Sequence, residues 1–503
     1  MQKIKEHFSP IAIAAAVMVF SAISVKVIEN NTLSVSNNNL QNNTVTPEAP
    51  PSVIPEVTPA ATPETTPTLT PSNPSSETYL GDRLSFGEKI LVKQEEAGTP
   101  NQDFQAAKNR GSEAIAAGNY EQAAIEFEAA IQIYRNAPET LIYLNNARVA
   151  TQSPYTIAVV IPYGSDVTGA LEILRGVAQA QNEINQSGGI NGIPLKILIV
   201  NDDDNPKMSK QIASELVNNS EVIGVVGHFS SGATLAAGEE YNIGKLVVIS
   251  PVSTAVKLTD FSPYVFRTVP NDAIAAKKLA KHMITKLKKQ KAAVFFNSQS
   301  TYSLSLRSQF VQEVLANGGQ VDKDVEFDMS APGFSAIQSV EKAKVKGTQV
   351  LMLAANTGML DKALLVIQAS QKRFSLLGGD DVYAPTILKR GGEAAVGLAV
   401  AVAWHIDGNP GTQFSSKSQQ LWQGKVNWRT ATSYDAAKAL IAAIERGSTR
   451  SGVQQALSAQ DFSASGASGV VKFLTSGDRN GSIQLVEVRP SKSSGTYDFV
   501  PLR

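Results

Sequence analysis

Val222-Ile223-Gly224-Val225-Val226-Gly227-His228-Phe229-Ser230-Ser231-Gly232-Ala233-Thr234 is the stretch that decides the fold. Its first five residues are apolar or glycine with no polar alternation, which predicts a strand covered on both faces. The turn after it is built from small and hydroxyl residues, and a helix is expected over 232–241. The pattern then repeats. Leu246-Val247-Val248-Ile249-Ser250 predicts a second strand, and Pro251-Val252-Ser253-Thr254 a second polar turn. Outward from this pair, 156–161 and 195–200 read as strands, and 169–186 and 207–218 as helices. Buried strands alternating with amphipathic helices specify a parallel sheet flanked by helices. A second series follows, with strands at 292–296, 350–353 and 374–377 and helices at 274–288, 304–317 and 360–370. Helices at 434–446 and 453–458 lie near the end. Two successive α/β series predict two lobes with a cleft between them.

The residues before 153 have another character. Lys3 and Lys5 precede an apolar run from about Phe8 to Val25, broken by small polar residues and Pro10. At ~1.5 Å per residue this run just spans a bilayer core. Lysines ahead of it favour a cytoplasmic N-terminus, leaving the rest of the chain outside. Two readings stay open, an uncleaved anchor and a signal peptide cut after Ala22 or Ser24. Residues 30–78 are low in complexity, rich in Asn and then in Pro and Thr, which predicts an extended, disordered tether. Residues 103–150 are Ala- and Glu-rich with helical apolar spacing. Small residues at 111, 123 and 130 let helices approach, and Gly118-Asn119-Tyr120 separates one helix from the next.

Composition excludes several functions. Forty-five basic residues balance forty-five acidic ones, so the chain lacks the basic excess of a nucleic-acid-binding protein. The lysines at 277, 278, 281, 286, 288, 289 and 291 read as a solvated helix face and end. With no cysteine, disulfides, thiolate chemistry, iron–sulfur clusters and a lipidated cysteine are all excluded. No G-x-x-x-x-G-K-[ST] loop, G-x-S-x-G elbow or H-E-x-x-H pair is present. His228 reads as a packed or turn residue. Asp202-Asp203-Asp204 reads as a solvated turn, lacking the ligand spacing of a calcium loop. Trp404, Trp422 and Trp428 read as core or cleft-edge residues. Neither an enzyme, a cofactor nor a metal is expected.

Residues 155–500 resemble the type 1 periplasmic-binding family, in particular the branched-chain amino-acid-binding proteins of ABC importers. The resemblance rests on Gly227 to Thr234, Ile249 to Ala255 with Leu258-Thr259, and Phe266-Arg267-Thr268. Ile184-Asn185, Gly188-Gly189-Ile190-Asn191-Gly192, Asp202 to Pro206, Gly378-Gly379-Asp380 and Tyr434-Asp435-Ala436 occur in the same order. It implies a two-lobed α/β fold with parallel sheets and a hinge of three crossings. The crossings would fall near Asn271, Val400 and Val470. The segment before it resembles one tetratricopeptide repeat plus a partial helix at 139–150, without the repeat's usual tryptophan. The expected organisation is therefore an anchor or signal peptide at 1–29, a linker at 30–101, repeat-like helices at 102–152 and the binding domain at 153–503. Lobe one would hold about 153–271 and 400–470, and lobe two about 272–399 and 471–503.

A free amino acid presents a carboxylate and an ammonium. Ser231 stands between a strand end and a helix start, where unpaired backbone N–H groups and the helix dipole favour an anion. Thr254, after the next strand, would add a hydroxyl. Ser and Thr at such positions also commonly cap helices. The resemblance implies that Ser231 and Thr254 hold the ligand carboxylate, that Val252 and Ser253 line the same pocket, and that Asp380 receives the ammonium, with Asp381 its competitor. It further implies that Tyr302 covers the ligand. Tyr163 would wall the cleft. Asn356 stands where the amino-acid binders often carry an aromatic, which weighs against a branched aliphatic ligand. A disulfide common in the family would fall near Asp204 and Ser230, where it cannot form. The function expected is an extracytoplasmic receptor for an amino-acid-like solute, serving an ABC permease, with a possible protein partner at the helical repeat. The alternative is a membrane-tethered regulatory or scaffolding protein, activator-like or sensory, using the same fold without transport.

Overall fold

The computed structural model describes residues 80–93, 102–408, 412–492 and 495–502. The apolar N-terminal run and most of the expected tether lie outside these residues. Among the described residues, no helix is long and apolar enough to cross a membrane.

The chain first forms a short strand, β1 (Leu84–Ser85), then three helices, α1 (Gln102–Ala116), α2 (Tyr120–Ile133) and α3 (Pro138–Val149). The alternating series follows as β2 (Tyr155–Ile161), α4 (Val167–Gln186), β3 (Leu195–Asn201), α5 (Pro206–Asn218), β4 (Val222–Val226), α6 (Ser231–Gly244), β5 (Val248–Ser250) and β6 (Val265–Arg267). The sheet runs β1-β3-β2-β4-β5-β6 and is parallel except for β1. Every side chain of β2 after Tyr155 is buried, as expected for a strand with helices on both faces.

The second lobe starts with α7 (Asp272–Lys281) and continues through β7 (Ala292–Phe296), α8 (Thr301–Ala316), β8 (Glu326–Asp328), α9 (Ala336–Val345), β9 (Val350–Ala354), α10 (Leu360–Ser370), β10 (Ser375–Gly378) and β11 (Ala399–Val402). The chain then returns to the first lobe as α11 (Gln413–Trp422), α12 (Trp428–Arg446), α13 (Arg450–Ser458) and the hairpin β12 (Ala464–Gly466) and β13 (Gly469–Val471). It crosses a last time to add β14 (Gln484–Pro490) and β15 (Tyr497–Pro501) to the second sheet, whose order is β15-β14-β11-β10-β9-β7-β8. The later two crossings therefore fall after β11 and near 480, beyond the expected positions at 400 and 470. The cause is that β11 completes the second sheet, while the β12–β13 hairpin docks on α12 of the first lobe.

At the crossings, buried Arg267 ties three segments together. Its Nε donates to Asp478 Oδ1 at 2.7 Å, Nη1 to Ala255 O at 2.7 Å and Nη2 to Thr259 Oγ1 at 2.7 Å. All three tryptophans are fully buried. Residues 80–93, placed by sequence in the linker, are folded. Leu80, Leu84 and Phe86 pack against the core of the first lobe, and Leu84 pairs with Val200 on the free edge of β3. The helix expected over 274–288 leaves α geometry at His282 and ends in a wider π turn at Lys286.

Candidate functional site

The seven turns that line the cleft lie at C-terminal ends of parallel strands, where helix N-termini and loops from both sheets face each other. A cavity of about 360 Å³ lies there. From the first lobe come the turns after β2 (Ser165, Asp166), β3 (Asp204, Pro206), β4 (Phe229 to Gly232) and β5 (Val252, Ser253). From the second come those after β7 (Asn297, Gln299 to Tyr302), β9 (Asn356 to Gly358) and β10 (Asp380, Asp381). Six of the eight residues singled out in the sequence stand on this wall: Ser231, Val252, Ser253, Tyr302, Asn356 and Asp380.

Ser231 opens α6, with Ser230 as its cap, accepting from Ala233 N at 3.2 Å. Ser231 Oγ accepts from Ala255 N at 3.2 Å, which leaves its own proton to give. The first-turn amides of α6 have no intrahelical acceptor, so this corner of the wall is donor-rich. Ser253 is different. Its hydroxyl is held between Thr234 Oγ1 at 2.7 Å and Phe229 O at 3.2 Å, so it buttresses the wall. Thr254 is not on the wall. It is buried beside Asp272, whose N–H donates to Thr254 O at 2.9 Å. Tyr163 is not on the wall either; its ring packs on the apolar core and its N–H donates to Asn201 Oδ1 at 3.0 Å.

The facing wall is rich in acceptors. Asp380 and Asp381 follow β10 in a tight turn. Gly379 is required before them, because a Cβ there would lie 2.2 Å from Tyr302 Oη. Tyr302 Oη sits beside the Asp380 carboxyl, buried and without a hydrogen bond of normal length. Asn356 is held by Asn297 Nδ2, which donates to its Oδ1 at 2.8 Å. Burial, reinforced by the neighbouring Asp381, pushes the Asp380 carboxyl up to about 8. Burial also raises Asp381, against the pull of Arg429. Across the cavity, burial pushes Asp204 up to about 7 although Ser230 N donates to its Oδ1 at 3.0 Å. That hydrogen bond joins the two segments that the family resemblance would join by a disulfide.

The two-lobed α/β fold agrees with the family model of the periplasmic binding proteins, which matches residues 154–495. The chain belongs to the periplasmic binding protein family. Among relatives of this periplasmic binding protein, an amino acid binding protein of Pseudomonas aeruginosa is 33% identical over 164 residues, which is 31% of this chain and 44% of that protein. A Leu/Ile/Val-binding protein of Escherichia coli is 28% identical over 239 residues, 47% of this chain and 63% of that protein. The chain thus spans less than two thirds of either relative. A crystal structure of a leucine-binding protein from Thermotoga maritima superposes with a TM-score of 0.60 at 23% identity, covering 68% of this chain and 97% of that one.

The site of this periplasmic binding protein holds residues that sequence reasoning missed. Arg429, on the first turn of α12, reaches across the lobes to Asp381 Oδ1 at 2.5 Å. It lies over Trp428 and Phe229, its guanidinium 4.4 and 5.7 Å from the ring centres. Helix α12 comes close enough to place it because position 176 in α4 is glycine. A Cβ there would stand 2.3 Å from Thr430 O. Asp166 caps α4, accepting from Gly169 N at 2.8 Å, and also faces the cavity. The Asp202 carboxyl, expected in a solvated turn, is instead buried. It accepts from Ser209 Oγ and contacts His228 Nδ1, both at 2.7 Å, and His228 Nε2 meets Tyr241 Oη at 3.0 Å. His228 is a packed residue of this chain of contacts. Among the described residues no cluster of His, Asp or Glu could hold a metal ion.

Proposed function

We propose that the protein is an extracytoplasmic solute receptor of an ABC importer, binding an amino acid or a similar small polar solute in the interlobe cavity. The observation that carries this reading is the division of labour across the cleft. Donors stand at the start of α6 on one lobe, and a carboxyl, Asp380, stands on the other. An α-carboxylate would lie at Ser231 and the α6 amides, and an α-ammonium at Asp380. Tyr302 would close over the solute, and Val252, Ser253 and Asn356 would complete the wall. Each lobe alone offers half of these contacts. Closure joins them and excludes water, which strengthens charge-assisted hydrogen bonds. Family membership places such a receptor outside the cytoplasm. A scaffolding protein on the same fold would have no use for a polar cavity between its lobes, and this favours the receptor.

Thermal unfolding of the full chain against a panel of amino acids, amides and small peptides tests the reading. A solute at about 100 times its dissociation constant adds roughly 2.7 kcal/mol, a clear melting shift. The shift should vanish in Ser231→Ala/Asp380→Ala. A flat response across the panel would turn the reading toward a regulatory role, with the tetratricopeptide-like helices as its partner-binding part.

A further inference from the structure

The cleft holds more acid than an α-amino acid with a neutral side chain can balance. Four carboxyls face the cavity, those of Asp166, Asp204, Asp380 and Asp381, and no Lys, Arg or His does. Arg429 pairs with Asp381 from behind the wall. Asp166, Asp204 and Asp380 have no ion-pair partner among the described residues. A zwitterion seated as proposed above would place its ammonium at Asp380 and its carboxylate at Ser231. Asp204 would then face the closed cleft with no cation beside it, and Asp166 would have only the Arg429 charge that it shares with Asp381 and Asp380. Pro206, Phe229, Val252 and the Tyr302 ring supply the apolar surface, and most of the other lining residues carry hydroxyls, amides or carboxyls. Tyr302, 6% exposed, sets its hydroxyl beside the Asp380 carboxyl at the edge of this cavity without a hydrogen bond of normal length.

We propose that the solute carries a second positive charge: a basic α-amino acid whose side-chain ammonium or guanidinium is held by Asp204 and Asp166. This rests on the reading of the cleft as an amino-acid site and names the class within it. The raised titration of Asp204 and Asp380 fits. Without a cation, burial holds them partly protonated near neutral pH, and an arriving cation expels those protons. Affinity then rises with pH between about 6 and 8.

Calorimetric titration of the full chain with L-arginine, L-lysine, L-leucine, L-glutamate and agmatine, at pH 6 and pH 8, decides it. L-Arginine or L-lysine should bind at least tenfold more tightly than L-leucine, and more tightly at pH 8 than at pH 6. Asp204→Asn should erase most of that preference. Asp166→Asn, which keeps a helix-capping side chain, should erase part of it, and a single cooperative melt for each variant shows that both are folded. L-Leucine binding as well as or better than both basic amino acids would overturn the second charge and leave the amino-acid reading standing. Agmatine binding where neither basic amino acid does would overturn the carboxylate assignment and this proposal. Binding of none of the five would overturn the amino-acid reading and this proposal together.

Discussion

Two places in the molecule bury charge, and they do so in opposite ways. In the helices before the binding domain, Lys108 and Glu139 are both fully buried and 2.8 Å apart. Lys108 also donates to Val92 O, while Glu139 accepts from the amides of Leu91 and Val92 and from Tyr143 Oη. Charge and hydrogen-bonding capacity are matched there. In the cleft the balance fails by two or three carboxyls. A buried charge costs several kcal/mol unless it is paired. The matched cluster is therefore a structural joint, and the unmatched one is where the proposed solute would sit. Imbalance, more than burial, separates a binding site from a core.

The strongest way to break this comparison is to unbalance the joint. Lys108→Met strands the Glu139 carboxylate and should cost about 3–5 kcal/mol, read from chemical denaturation, with solute affinity unchanged. Lys108→Met/Glu139→Gln should recover much of the loss. A cost below about 1 kcal/mol for the single change would mean that the pair is not a joint. Next comes Arg429→Met, which removes the cation held against Asp381. It should destabilise by about 2–4 kcal/mol, and a second change, Asp381→Asn, should restore most of it.

The cleft should respond in the opposite sense. Without solute, Asp380→Asn removes a carboxyl that burial disfavours and should stabilise by about 1 kcal/mol, a trade of function for stability. The same variant should lose roughly 10–100-fold in solute affinity, as for a charge-assisted hydrogen bond. A variant less stable than the parent would show that Asp380 is structural. The smallest effect is that of pH. Asp380 titrates near 8 and Asp204 near 7 in the folded chain, against 3.8 ordinarily. The folded state thus keeps protons that the unfolded state has released, and stability falls as pH rises from about 4 to 8. The solute-free melting temperature should drop by a few degrees from pH 6 to pH 8, and saturating solute should flatten that slope.

Much of this was legible in the sequence, for definite reasons. Strands such as 222–226 are apolar throughout and long enough to stand out, and the turns after them carry Ser231, Val252 and Asp380. Such turns converge at one end of a parallel sheet, so reading the strands nearly reads the wall. Arg429 escaped because α12 is recognisable by period only from Tyr434, and its first turn, Trp428-Arg429-Thr430, mixes an aromatic with polar residues. Asp166 and Asp204 look like ordinary turn acids, and only the folded chain shows them facing one cavity. Helix α9 was missed because two of its apolar residues point outward, with Ile337 and Val345 70% and 84% exposed. Strands β12 and β13 are too short, at three residues each, to show a period.

The pairing of Leu84 with Val200 has a consequence for how the molecule is made. The strand β1 leaves the ribosome more than a hundred residues before β3 does. At about 5–20 residues per second, that is a delay on the order of 10 s. Throughout it, the edge of β1 that will pair with β3 has nothing to cover it. Vectorial synthesis thus presents the sheet's last edge first. The newborn chain is most open to wrong partners in that interval, before its own third strand arrives.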